Sequence, residues 1–204
     1  MALIAAEDTR RTRILLARYG IETPCTSYFE HNRLRRGPAL VERLCRGDSL
    51  ALVTDAGTPG ISDPGFHLVR LAREAGVPVV PVPGPAAVVA ALSVAGIPGD
   101  RFVFEGFLPA KRGRRLARLR ELQALGRPIV LYESPHRLAA TLEALAELFG
   151  PAEVVLGREL TKQFEEIRRG TAAGLLEAVR AAGVRGEVTL VVSPLPAPEH
   201  PVER

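Results

Sequence analysis

The chain has no tryptophan, one methionine and two cysteines, Cys25 and Cys45. The cysteines show no CxxC spacing and no neighbouring histidine pair. That excludes a disulfide framework and a zinc site, and a reducing, cytoplasmic setting is expected. Lysine is nearly absent: Lys111 and Lys162 are the only two, and arginine supplies the other positive charges. Several phosphate and hydrolase signatures are missing as well. GxGxxG and GxxxxGK[ST] are absent, which removes the nicotinamide fingerprint and the Walker loop; HExxH and GxSxG are absent, which removes zinc-protease and serine-hydrolase chemistry. The start, MALIAAEDTR, lacks a basic n-region, so no secretory leader is expected. The uncharged run Gly76–Gly99 has the length of a membrane span, but Pro78, Pro81, Pro83, Pro85 and Pro98 interrupt it. It is expected to form a buried strand, a tight turn and a buried helix, with no membrane association.

What is present suits a globular α/β protein. The 204 residues are 47% hydrophobic, enough for one large domain or two small ones. The net charge of +4 favours phosphate-rich partners, although an arginine-rich usage also follows from a GC-rich genome. Short apolar runs alternate with helical patterns. Strands are expected at Ala2–Ala6, Pro24–Phe29, Ser49–Thr54, Val77–Val82, Arg101–Phe104, Pro128–Tyr132, Glu153–Gly157 and Glu187–Val192. Helices are expected at Thr9–Tyr19 (Ile14, Leu15 and Ala17 inward), Pro38–Arg46 (Leu40, Val41 and Leu44 inward), Pro64–Ala75, Pro85–Ala95, Leu116–Leu125, Pro135–Phe149 and Leu175–Ala182. This alternation implies two α/β lobes, 1–97 and 98–194, with largely parallel strands. A loose tail is expected over 195–204.

In such sheets ligands sit beyond the carboxyl ends of the strands. The richest loop there is Thr54-Asp55-Ala56-Gly57-Thr58-Pro59-Gly60-Ile61-Ser62-Asp63-Pro64-Gly65. Its glycines permit close backbone approach to a ligand, its prolines fix one shape, and its aspartates accept hydrogen bonds. Pro83-Gly84-Pro85-Ala86-Ala87 offers small side chains at a helix start, which equally suits close helix–sheet packing. Tyr132-Glu133-Ser134-Pro135-His136-Arg137 concentrates a phenol, a carboxylate, an imidazole and a guanidinium at one strand end; Ser134 and Pro135 also read as an ordinary helix start. Two further clusters, Glu7–Arg13 and Phe29–Arg33, follow apolar runs.

Taken in order, EDTRRTRILL, SYFEHN, TDAGTPGISDPG, VPGPAA, FEGFLPAK, YESPHR, RELTKQFEE and GEVTLVV resemble the tetrapyrrole methylase superfamily, in particular its branch that methylates 16S ribosomal RNA. The resemblance runs from Leu3 to Val192. It implies two α/β domains with a ligand cleft between them, a homodimer, and S-adenosyl-L-methionine as donor. It implies transfer to a cytidine ribose 2′-hydroxyl in the small ribosomal subunit, without a metal. The superfamily's donor positions carry over onto Ala56, Gly57, Thr58, Ile61, Ala86, Ala87, Glu133 and Leu160, with Asp55 beside them. Members usually begin with a further strand, a proline-containing turn and a helix ahead of the segment matching Leu3–Thr12. The chain starts without them, so its first domain is expected to be truncated at a turn that would line the donor site. Phe29 and Ala86 also depart from the usual histidine and serine.

The transfer needs an acceptor for the hydroxyl proton. Glu7, Asp8, Glu30, His31, Glu133, His136 and a Lys162 of depressed pKa are candidates, with Glu133 and His136 preferred. The basic segments Arg10–Arg13, Arg33–Arg36 and Lys111–Arg120 suit RNA, and Lys111, Arg112, Arg114 and Arg115 are the expected phosphate contacts. Methylation of a corrinoid precursor or of a modified histidine, and a non-catalytic RNA-binding role, stay open at this point.

Overall fold

A computed structural model describes residues 1–196. The chain divides into two compact units, one ending at Ala86 and one beginning at Ala87.

The first unit holds β1 (Leu3–Ala6), α1 (Thr9–Arg18), β2 (Cys25–Ser27), α2 (Arg33–Cys45), β3 (Leu50–Val53) and α3 (Phe66–Glu74). Its three strands are parallel in the order β2-β1-β3, with Ile4 opposite both Cys25 and Ala51. The central strand, LIAA, is buried throughout, as an unbroken apolar run should be when both faces are covered. Its side chains alternate between two small cores. Leu3 and Ala5 join Tyr28, Leu40 and Leu68; Ile4 and Ala6 join Leu16. The Tyr28 hydroxyl meets His67 Nδ1 at 3.1 Å in the first of these cores. Burial pushes the His67 imidazole below its ordinary value and the Tyr28 phenol above its own.

Local chemistry sets the helix starts. Asp8 accepts the Arg10 amide and caps α1, and the Arg10 guanidinium and amide together hold the Asp8 carboxyl down at about 2. The buried side of α1 is Thr12 and Leu16, one turn apart, whereas Ile14, Leu15 and Ala17 face outward. The expected inward stripe is thus displaced, because only one narrow face of α1 is covered. Helix α2 starts at Arg33, ahead of Pro38, which it takes into its interior. Asn32 organises this earlier start: its side-chain oxygen accepts the Phe29 amide and its amide reaches the Ser27 carbonyl. Leu40 is buried and Val41 and Leu44 are half-buried, the expected inward face.

Residues Val77–Val82 do not form the expected strand. They are irregular, with Val80 and Val82 well exposed. An apolar, β-branched run becomes a strand only when a neighbour supplies ladder partners, and among the described residues none does.

The second unit holds α4 (Ala87–Ala95), β4 (Val103–Phe107), α5 (Arg112–Ala124), β5 (Ile129–Glu133), α6 (Leu138–Phe149), β6 (Ala152–Arg158), β7 (Glu166–Thr171), α7 (Ala172–Ala182) and β8 (Val188–Pro196). These strands make one sheet in the order β4-β5-β8-β6-β7. Only β4 and β5 are parallel; the β5–β8, β8–β6 and β6–β7 pairs are antiparallel. The expectation of largely parallel strands holds for the first unit and fails here. Two features drive the difference: β8 enters between β5 and β6 against both, and β7 was hidden by its charge. EIRRGT reads as a solvated segment, yet it pairs along the sheet edge, where charged side chains are tolerated.

One face of this sheet is covered by α5, α6 and α7, around Leu119, Leu131, Leu142, Leu145, Val154 and Leu190. The other face carries Val130, Val155 and Val191, and α4 packs there through Val88, Ala91 and Ala95. That contact places α4 in the second unit, so the units divide before it rather than at Ile97–Asp100. Strand β8 runs through Pro194 to Pro196, residues expected to lead into or begin a loose tail; the rest of that tail, 197–204, lies outside the described residues. Among the described residues no helix is long and apolar enough to cross a membrane.

Candidate functional site

In the first unit the loop after β3 is held by its own acidic groups. Asp63 Oδ1 accepts the amides of Gly60 and Gly65, at 3.1 and 2.8 Å. The Thr54 hydroxyl lies 2.7 Å from both Asp63 Oδ2 and Glu7 Oε2, and the Asp55 amide donates to the same Glu7 oxygen at 3.1 Å. Asp55 in turn accepts the Asp8 amide. Asp63 and Glu7 are therefore girders of the loop, which leaves backbone, Ala56, Gly57 and Ile61 facing out. The Thr58 hydroxyl donates to the Pro85 carbonyl at 3.0 Å and joins this loop to the segment leading to Ala86. The loop thus brings Asp55, Ala56, Gly57, Thr58, Ile61 and Ala86 into one region, which glycine geometry makes possible. Gly57 and Gly60 have φ of +71° and +86°, and space is open around a Cβ placed on Gly57.

Gly65 is needed for a different reason. A Cβ there would stand 2.8 Å from Asp63 Oδ1, 3.0 Å from the Gly60 nitrogen and 3.0 Å from Leu52. Gly65→Ala is expected to push Asp63 off its two amides and destabilise the first unit by about 1–3 kcal/mol. Urea denaturation monitored by circular dichroism measures this; an unchanged midpoint would show that the loop does not depend on the Asp63 clamp.

A shallow depression of about 300 Å³ lies at the carboxyl ends of β1 and β2, lined by Glu7, Asp8, Thr9, Arg10, Ser27 and Phe29. Of the acidic and imidazole groups from this region, Asp8 is held down by Arg10, Glu30 pairs with Arg33 at 2.8 Å, and His31 is exposed, with its ring edge-on to Phe29.

In the second unit, β5 delivers Tyr132 and Glu133 to its carboxyl end. Glu133 is fully buried. One oxygen accepts the Ser134 amide at 2.8 Å, the other the Thr141 hydroxyl at 2.6 Å, and the Arg137 guanidinium stands 3.5 Å away. Arg137 also donates to the Leu108 carbonyl. This network ties β5, the start of α6 and the end of β4 together. It presents no free carboxylate oxygen, so Glu133 positions its neighbours, while His136, in the same turn, is exposed. The sequence gives Tyr132 no separate role in this motif. Burial raises its phenol, against the opposing effect of the Val88 backbone amide at the start of α4. Leu160 packs into the cluster of Val88 and Tyr132 and closes over Gly157, where a Cβ would lie 2.9 Å from it. Ala87, Glu133 and Leu160 therefore belong to the second unit.

Two expected roles do not survive. The sequence makes Lys162 a candidate base only with a depressed pKa. Partial burial pulls its ammonium down, but hydrogen bonds from it to Glu159 and Glu187, at 2.9 and 3.0 Å, raise it overall. The basic run suggests that Arg115 faces phosphate, but it is 5% exposed and donates to the Ala110 carbonyl beneath the start of α5. The three-to-four-residue helical spacing turns it inward with Leu116 and Leu119. Arg118 is engaged by both oxygens of Glu105 and by Glu121, and Arg112 by Glu147. Lys111 and Arg114 are exposed and make no ion pair among the described residues.

Residues 2–176 match the family model of the Tetrapyrrole (Corrin/Porphyrin) Methylases. The chain belongs to this family. It is 49% identical, over 96% of its length, to a Mesorhizobium japonicum protein named Ribosomal RNA small subunit methyltransferase I, and it covers 67% of that relative. The Pseudomonas aeruginosa protein of the same name is also 49% identical, over 98% of the chain and 72% of the relative. The fold is also seen in solved structures. The uroporphyrin-III C-methyltransferase of Thermus thermophilus complexed with S-adenosyl homocysteine superposes with a TM-score of 0.63 at 16% identity, over 94% of this chain and 85% of that one. At that identity the likeness concerns the fold alone.

Proposed function

We propose that this chain methylates the 2′-hydroxyl of a cytidine ribose in 16S ribosomal RNA of the small subunit, with S-adenosyl-L-methionine as donor. The observation that carries the reading is the 49% identity, over nearly the whole chain, to relatives named as small-subunit ribosomal RNA methyltransferases. In the first unit the donor would be held by Asp55, Ala56, Gly57, Thr58, Ile61 and Ala86. The fit is physical: an exposed glycine loop clamped from beneath offers backbone groups and open space to a nucleoside-sized ligand. When bound, the sulfonium of the donor supplies an activated methyl group, so no covalent nucleophile and no metal is needed.

The protein must then hold the ribose oxygen in line and take its proton. His136 is the favoured acceptor: it is exposed at the end of β5, where Glu133 has both oxygens occupied. Lys111 and Arg114 hold phosphates of the RNA, whereas Arg112 is engaged by Glu147. The active form is a cytoplasmic homodimer. Small subunits lacking the modification, incubated with labelled donor, should acquire label on a cytidine ribose, mapped by mass spectrometry. Label on a base or on protein would overturn the assignment.

The phosphate contacts have their own test. Arg115 is buried and should be left intact, whereas Lys111→Glu with Arg114→Glu removes two exposed cations. RNA affinity should fall, and the slope of log affinity against log salt should become shallower by about 1.4. An unchanged slope would remove this segment from the interface.

A further inference from the structure

The carboxyl end of β4 carries an exposed aromatic ring that neither the donor site nor the proton acceptor uses. Phe107 is 53% exposed, although it stands at the end of a strand whose next residue, Leu108, is 2% exposed. Its ring is not loose. It meets Tyr132 edge-on at 5.9 Å, and Tyr132 meets Phe104 edge-on at 4.9 Å. Tyr132 itself packs against the cluster of Val88, Ala91 and Val130. The segment that follows is braced from below: Arg137 holds the Leu108 carbonyl and Arg115 the Ala110 carbonyl.

Immediately beyond lies the start of α5. Its first turn contains no acidic residue, and Lys111, at the cap position, makes no side-chain cap. Gly113 leaves open space there. The buried Arg115 keeps one N–H, on Nε, without an acceptor among the described residues. A held aromatic ring, two cations without an ion pair among the described residues and a helix start with no acidic residue of its own therefore fall within eight consecutive residues, Phe107–Arg114.

We propose that Phe107 is a nucleobase-stacking platform for single-stranded RNA, with the phosphate next to the stacked base held by Lys111, Arg114 and the first turn of α5. The charge decides the occupant. An exposed ring alone would suit a second copy of the chain equally, but uncompensated cations beside it oppose a like-charged copy and attract a polyanion. Stacking on an aromatic ring is how unpaired bases are held without reading their sequence. The inference rests on RNA being the substrate, and it names the subsite that would orient it.

A single-stranded RNA oligonucleotide carrying 2-aminopurine tests it, because stacking quenches that base. The parent protein should bind the probe and quench it. Phe107→Ala should weaken binding about tenfold and lose the quench, and Phe107→Trp should restore both. Binding and quenching unchanged in Phe107→Ala would overturn the proposal. So would unchanged RNA affinity together with a sedimentation shift from dimer to monomer, which would assign the ring to contact between copies. The readout needs no methyl transfer. A parent that stacks the probe yet labels no ribosomal RNA refutes the proposed activity and leaves the subsite standing; a parent that labels it, beside an indifferent Phe107→Ala, does the reverse.

Discussion

Gly57→Leu should abolish measurable binding of S-adenosylmethionine and leave the first unit folded. Gly57 adopts φ +71°, a left-handed conformation that costs a side chain-bearing residue about 1–2 kcal/mol. No atom lies within 4 Å of a Cβ built there, so the first carbon of the new side chain meets nothing in the protein. It would instead extend into the space in front of the loop, where the donor is proposed to bind. Titration calorimetry should show at least a hundredfold loss of affinity, and thermal denaturation only a small shift. Gly57→Ala should show the same backbone cost with less obstruction. Parent-like donor affinity in Gly57→Leu would mean that the donor is held elsewhere.

Replacing His136 by Asn should lower the turnover of methyl transfer by about 10²–10⁴, with donor affinity and the KM for small subunits nearly unchanged. The contrast with Glu133 makes the test sharp. Glu133 is buried, with Thr141, Ser134 and Arg137 arranged around its two oxygens. Glu133→Ala should therefore act through the fold: it strands those partners and costs about 1–3 kcal/mol of stability. Urea denaturation separates the two variants. A His136→Asn enzyme with parent-like turnover would remove His136 as proton acceptor. A stable but inactive Glu133→Ala would return that role to the carboxylate.

Several features of the candidate site were legible from residue types alone. A loop with three glycines, two prolines and two aspartates between a buried strand and a helix announces a shaped turn, and the loop after β3 has that form. What the spacing of residues leaves open is which of its polar groups face inward. Asp63 and Glu7 look like available carboxylates in the sequence, and the fold uses them as clamps. Arg115 looks like one more surface cation in a basic run, yet its place on α5 buries it. Phe107 gives no signal in the sequence, because FEGFLP reads as strand and loop; only the edge contact with Tyr132 shows the ring to be held in place.

The sequence by itself determined the α/β class, the order of most helices and strands, and the family. Those rest on local periodicity, on turn residues and on motifs in series, which the chain carries whatever its tertiary contacts. Tertiary structure decided the rest. It left Val77–Val82 without strand partners, ran β5 and β6 antiparallel to β8, made an edge strand of the charged EIRRGT segment, and assigned α4 to the second unit. Each of these depends on which surface lies opposite, because a ladder hydrogen bond and a buried face both need a partner distant in the chain. The pattern of residues along one segment cannot specify that partner.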